Sequence, residues 1–252
     1  MNVSTLDAAV GPWAAAYAIG VAAAAGLLRG FTGFGFALLA VPALTLVFPP
    51  AEVVPCVLLM QLFAGVQLVR ATIRWVDWTS AGPMLAAAVL VTPLGTKLLT
   101  LVSADATRAG IGLLLLVTVP VLWRSPARLP RPSLPVRLAV GVASGLLNGA
   151  TAMSGPPVIA YFLATAEARV ARASMLAYFL LLSLAGVASS TASGLVARST
   201  LLHALVLVPP LVAGTWLGHR WFELASDETH RRIALVVLAV VAIAALARVV
   251  AG

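Results

Sequence analysis

Apolar runs long enough to cross a bilayer recur along this chain with little polar sequence between them, as at Leu85–Leu101, Ile111–Trp123 and Ile233–Val250. A helix needs about 20 mostly apolar residues to span the hydrocarbon core. Hydrophobic residues make up 62% of the chain and charged ones 10%, whereas a soluble domain carries roughly a quarter charged. A chain so poor in charge cannot clothe itself in a water-facing surface. Its length allows about eight helical segments and no soluble domain beside them. The expected fold is an all-α integral membrane protein, a single transmembrane domain over residues 1–252.

The net charge of +8 would suggest nucleic acid in a soluble protein. Here the basic residues flank apolar segments, where arginine sets topology and meets anionic lipid head groups. No basic cluster is interleaved with aromatics, so nucleic acid is not an expected partner and membrane lipid is. Met1–Pro12 places no positive charge before the first apolar run and does not read as a cleaved signal. The single cysteine, Cys56, excludes an intramolecular disulfide and a cysteine-based metal site.

An internal repeat organises the chain. Gly26-Leu27-Leu28-Arg29-Gly30-Phe31-Thr32 returns 119 positions later as Gly145-Leu146-Leu147-Asn148-Gly149-Ala150-Thr151. The same offset carries Gly95-Thr96 onto Gly214-Thr215, and Asp105-Ala106-Thr107 returns at an offset of 122 as Asp227-Glu228-Thr229. Two tandem halves follow, 12–123 and 136–250, joined by a linker over 124–135 that is rich in proline and arginine. Proline removes helix hydrogen bonds and turns its predecessor away from helix.

Each half reads as four elements. Three are ordinary spans, expected at 51–70, 79–101 and 106–123, then at 171–194, 199–222 and 229–250. The first is broken, by Gly30-Phe-Thr-Gly-Phe-Gly35 in one copy and by Asn148-Gly-Ala-Thr-Ala-Met-Ser-Gly-Pro-Pro157 in the other. From Pro135 to the second break the helix is only about 21 Å long, at 1.5 Å per residue, too short to cross. The break therefore lies inside the membrane. If each broken element crosses, the cationic residues divide almost evenly between the faces. If each turns back, eleven from Arg70 to Arg232 gather on one face, against Lys97, Arg108, Arg198 and Arg248. The positive-inside rule then favours an inverted repeat with both termini outside.

Unwound backbone persists in a bilayer only where protein or a water-filled cavity surrounds it. A break bares the N–H groups and the positive dipole end of the half-helix that follows, a ready anion site. Paired discontinuous segments in two repeats are the best pointer in a sequence to a transporter's binding site. The candidate substrate residues are Arg29, Thr32, Gly33, Gly35, Asn148, Thr151, Ser154 and Gly155. Glycine lets the backbone turn and a ligand approach, hydroxyls and the amide donate, and Pro156 and Pro157 suit the first turn of a helix. Arg29 is costly within a membrane and functional by default; it either neutralises the anion or reaches an interface or a carbonyl. Gln61 and Gln67 either line a path or bridge helices. The bland alternative is close helix packing, the expected role of Gly26-x-x-x-Gly30 and of Gly141, Gly145 and Gly149.

An enzyme is not expected. His203, His219 and His230 show no metal-ligand spacing, no carboxylate pair lies within a span, and no strand precedes the glycines at 30–35. No cofactor or metal is expected.

A first-helix Gly-x-x-Gly-x-Gly followed by an apolar run with Val41-Pro42, echoed by Ser154-Gly155-Pro156-Pro157, resembles the sulfite exporter TauE/SafE family. The resemblance covers essentially the whole chain. It implies a multi-pass transporter of the plasma (inner) membrane, exporting a small anionic substrate such as sulfite or an organosulfonate like sulfoacetate. A homodimer is compatible with it. The alternative is a membrane subunit that binds a partner or lipid without transporting anything.

Overall fold

The structure, a computed structural model, describes residues 3–123 and 132–224. The linker segment 124–131, the expected last span at 229–250 and the repeat block Asp227–Thr229 lie outside the described residues. Among the described residues the architecture is wholly helical. Helices α1 (Val3–Thr32), α2 (Phe36–Leu44), α3 (Pro50–Thr72), α4 (Trp78–Leu101) and α5 (Ala104–Trp123) form the first half. The second half supplies α6 (Leu134–Thr151), α7 (Gly155–Thr165), α8 (Ala168–Ala192) and α9 (Arg198–Leu224). A short 3₁₀ turn, Ile73–Trp75, joins α3 to α4, and α1 kinks at Gly11, whose φ is 66°. Each expected span within the described residues is met to within a few residues, and both breaks fall where the sequence places them.

Among the described residues, four helices are long and apolar enough to cross a membrane: Gly11–Thr32, Trp78–Leu101, Ala168–Ala192 and Arg198–Trp221. The distribution of side chains suits lipid. Leu90 and Leu205 are 79% and 65% exposed, whereas Thr92, Thr96, Ser144 and Thr215 are fully buried. Apolar surface faces outward and hydroxyls face in, several of them on a carbonyl or a second hydroxyl, whereas Thr215 Oγ1 has no partner among the described residues. Thr92 Oγ1 donates to the Ala88 carbonyl and Ser189 Oγ to Thr96 Oγ1.

Glycine fixes the helix pairs. In a bilayer, helices gain nothing by hiding apolar surface from one another, so close backbone contact supplies the attraction. On α1, a Cβ at Gly26 would meet the Leu211 carbonyl oxygen and one at Gly30 the Thr215 carbonyl oxygen. From α9, Gly214 and Gly218 sit in the same way on Ala23 and Leu27. The equivalent seam joins α6 to α4: Gly141, Gly145 and Gly149 rest on the carbonyls of Met84, Ala88 and Thr92, and Gly95 rests on Leu146. In both seams the numbers rise together, so the helices of each pair are parallel.

The orientation of the halves follows from two further contacts. Gly65 of α3 meets Leu180 of α8, and Gly186 of α8 meets Leu58 of α3, so these equivalent helices run antiparallel. The starts of α4 and α8 lie together, with the Asp77 N–H donating to Ser174 Oγ. An inverted repeat requires this relation between equivalent helices. The seams are not identical, however. Carrying the Gly26–Leu211 contact forward by 119 pairs Gly145 with Thr92, whereas Gly145 meets Ala88. The α6–α4 seam is displaced by four residues, one helical turn, from the α1–α9 seam.

Candidate functional site

Both broken elements end their first helix in the same way. The Gly33 N–H donates to the Arg29 carbonyl at 2.7 Å and the Ala152 N–H to the Asn148 carbonyl at 2.9 Å. Gly33 and Ala152, 119 apart, both take left-handed backbone, with φ 82° and 56°. This is the αL helix end. A Cβ there costs about 1–2 kcal/mol, which Ala152 accepts and Gly33 avoids. Glycine at 33 is also a steric need, since a Cβ would lie 2.5 Å from Cγ of Arg172.

The two threonines shape the breaks. Thr32 Oγ1 donates towards the carbonyls of Leu28 and Phe34 and accepts from the Phe34 N–H. Thr151 Oγ1 donates to the Leu147 carbonyl and accepts from the Met153 N–H. Their hydroxyls are engaged by the turn and do not line the cavity described below. Asn148 is likewise turned elsewhere, its Nδ2 donating to the Leu182 carbonyl at 3.3 Å. These three candidates hold the scaffold.

Arg29, Gly33, Gly35, Ser154 and Gly155 do come together. They line a small cavity between the breaks, with Gln61 of α3 and Phe179 of α8 completing the wall. The sequence left Gln61 between two roles, and it fills both. It lines the cavity and its Nε2 donates to the Ala152 carbonyl at 3.2 Å. Phe179 carries no sequence signal, because only the fold brings the middle of α8 to the breaks.

Two features give this cavity its chemistry. Arg29 is 2% exposed, and its Nε and Nη2 are buried without a hydrogen-bond partner among the described residues. A charged side chain deep in a bilayer costs about 3 kcal/mol or more, and none of the described carboxylates pairs with it. The second feature is the start of α2, where Phe36, Ala37 and Leu38 line the cavity. Their N–H groups open a helix and have no carbonyl of that helix one turn back. The start of α7 is poorer in donors, because Pro156 and Pro157 have no N–H. The positive character of the cavity is therefore concentrated on the Arg29–α2 side.

The cavity is tight. Its volume is about 20 Å³, enough for a single water and several times too small for a sulfur oxyanion. The breaks are closed upon each other in this conformation. No cluster of metal-ligating side chains is found among the described residues. A family model described as sulfite exporter TauE/SafE matches residues 18–245. No curated protein and no solved structure matches the chain.

Proposed function

From the premise that this chain belongs to the sulfite exporter TauE/SafE family, we propose that it is a secondary carrier of a small anion, bound between the paired helix breaks. Sulfite or an organosulfonate such as sulfoacetate is the expected cargo, and the plasma membrane the expected location. The observation that carries this reading is the Arg29 guanidinium at the junction of the breaks, buried with two donor nitrogens unpartnered among the described residues. An anion there would accept from Arg29 and from the first N–H groups of α2, supplying the partner that buried donors require. The half-helix dipole of α2 adds to the attraction.

The Thr32, Thr151 and Asn148 side chains keep the breaks in shape, and the substrate meets Arg29, the α2 start and the Ser154–Gly155 turn. Because the cavity admits only a water in this conformation, binding an oxyanion requires the breaks to part. The Gln61–Ala152 hydrogen bond ties the second break to α3 and would have to yield as that break moves.

Flux in liposomes containing only this protein tests the proposal, with thermal shift against sulfite, sulfate, thiosulfate, sulfoacetate, taurine and small carboxylates as its companion. A ligand that binds the folded state alone raises its apparent stability. Transport of an anion that also stabilises the protein is the expected result. Absence of flux for every anion tested would favour a non-transporting assembly subunit.

A further inference from the structure

The seam between α1 and α9 closes at Gly26 and Gly30 but parts towards the ends where the two helices begin. In the equivalent seam Gly141 brings α6 onto the backbone of Met84. The residue of α1 at that place in the repeat is Ala22, buried with a methyl group where Gly141 has none. The wedge so left encloses a cavity of about 330 Å³, closed at the back by α3 and the end of α2. That is within the size range of small-molecule sites.

The lining of this cleft is ordered along its length. Its floor is apolar, with Ala14, Ala18, Leu44 and Val53 all nearly buried, and its outer edge carries Ile19 and Val206. Those two are 41% and 60% exposed and continue the lipid-facing surface that includes Leu205. Among the described residues nothing covers that edge, and the cleft opens sideways there towards bilayer hydrocarbon. Two ionisable side chains stand at one end, Glu52 in the first turn of α3 and His203 in the second turn of α9. Apolar along its length and ionisable at one end, the cleft has the polarity of an amphiphile.

We infer that this cleft seats one acyl chain of a membrane lipid, with a head-group ammonium at the Glu52 carboxylate. An alkyl chain is already out of water in the bilayer, so its gain on entering is packing against the cleft walls rather than dehydration. The carboxylate supplies the selectivity. It attracts an aminophospholipid and repels a purely anionic head group. An aqueous passage for the transported anion is a poorer fit, because its walls would be mostly apolar and its charged wall residue would carry the cargo's own sign.

The test needs no transport and so stands apart from the carrier reading. The purified protein is titrated with phosphatidylethanolamine or phosphatidylglycerol, and bound lipid is counted by native mass spectrometry beside the melting temperature. One ethanolamine lipid should be retained and should raise the melting temperature. Ala15→Phe, on the exposed rim of the cleft, should abolish both effects while the protein stays monodisperse. Glu52→Gln should keep the chain but cut the preference for ethanolamine over glycerol about fivefold, as loss of a partly exposed ion pair would. Equal lipid retention in the wild type and Ala15→Phe, or none in either, would overturn the inference. Rapid reaction of Cys56, which lines the cleft one turn deeper along α3 than Glu52, with a charged aqueous thiol reagent would overturn it too, and would show a water-filled passage instead.

Discussion

A single guanidinium gives the cavity between the breaks its positive charge. Arg29 is buried with Nε and Nη2 unpartnered among the described residues, and an anion is the partner that would offset that placement. Charge-assisted hydrogen bonds contribute about 1.5–3 kcal/mol, so Arg29→Gln should weaken anion binding by one to two orders of magnitude, read by thermal shift or flux. Arg29→Lys keeps the charge but not the planar fork and should fall between. Ser154→Leu should stop transport by filling the cavity while leaving a folded, membrane-inserted protein. Thr32→Val should act differently, lowering the melting temperature because it removes the hydroxyl that ties Leu28 to Phe34. The sequence identified Arg29 because an intramembrane charge is conspicuous in any reading. It could not tell a threonine that meets the anion from one that closes a turn, since both require a hydroxyl beside a glycine. It left Gln61 between lining a path and bridging helices, and Phe179 was beyond its reach as a wall residue, because its place depends on how α3 and α8 cross.

The helical elements are held by backbone contact, and this makes their tolerance to substitution uneven along one helix. At Gly149 a Cβ would strike the Thr92 carbonyl and lie 2.5 Å from the Thr96 nitrogen. Gly149→Ala should therefore destabilise by about 1–3 kcal/mol, the usual range for overpacking. Gly82 of α4 has nothing within 4 Å of that position, and Gly82→Ala should be neutral or stabilising by about 0.5–1 kcal/mol. Thermal denaturation of the two variants in the same detergent checks the contrast. Gly26, Gly30, Gly141, Gly145 and Gly149 were legible as packing residues from their four-residue spacing alone. Their partners were not: nothing in the periodicity says that α1 meets α9 or that α6 meets α4. The ends of the elements were legible to within a few residues because Gly33, Pro156 and Asp77 act locally, the last by capping α4 through Ser80.

For the whole molecule, the antiparallel relation of α3 and α8 makes topology the sharpest test. Cysteines at Ser133 and Ala168 should be labelled from the same face, and one at Ser103 from the other, in a background lacking Cys56. Labelling of Ser133 and Ala168 from opposite faces would overturn the inverted arrangement. Energetics follow from where charge is placed. Glu52, Asp77, Asp105 and Glu167 all stand at or beside helix starts, so among these no carboxylate is placed mid-span to carry a proton. A monoanion leaving a cell at 100 mV, interior negative, gains about 2.3 kcal/mol. A potassium–valinomycin potential should set the direction of flux in proteoliposomes, and a pH gradient at clamped voltage should have little effect. The one-turn displacement between the two seams has a thermodynamic corollary. Glycines four residues apart would let a seam be re-seated one turn along, and exchanging the displacements between the seams would give the chain a second basin. A ratio between such basins shifts tenfold for each 1.4 kcal/mol of differential stability. Gly26→Ala and Gly145→Ala, at matching rungs of opposite seams, should then tilt this ratio in opposite senses. Spin-label distances across the two ends of the molecule should show the double variant returning towards the wild-type distribution, although its overall stability carries both losses.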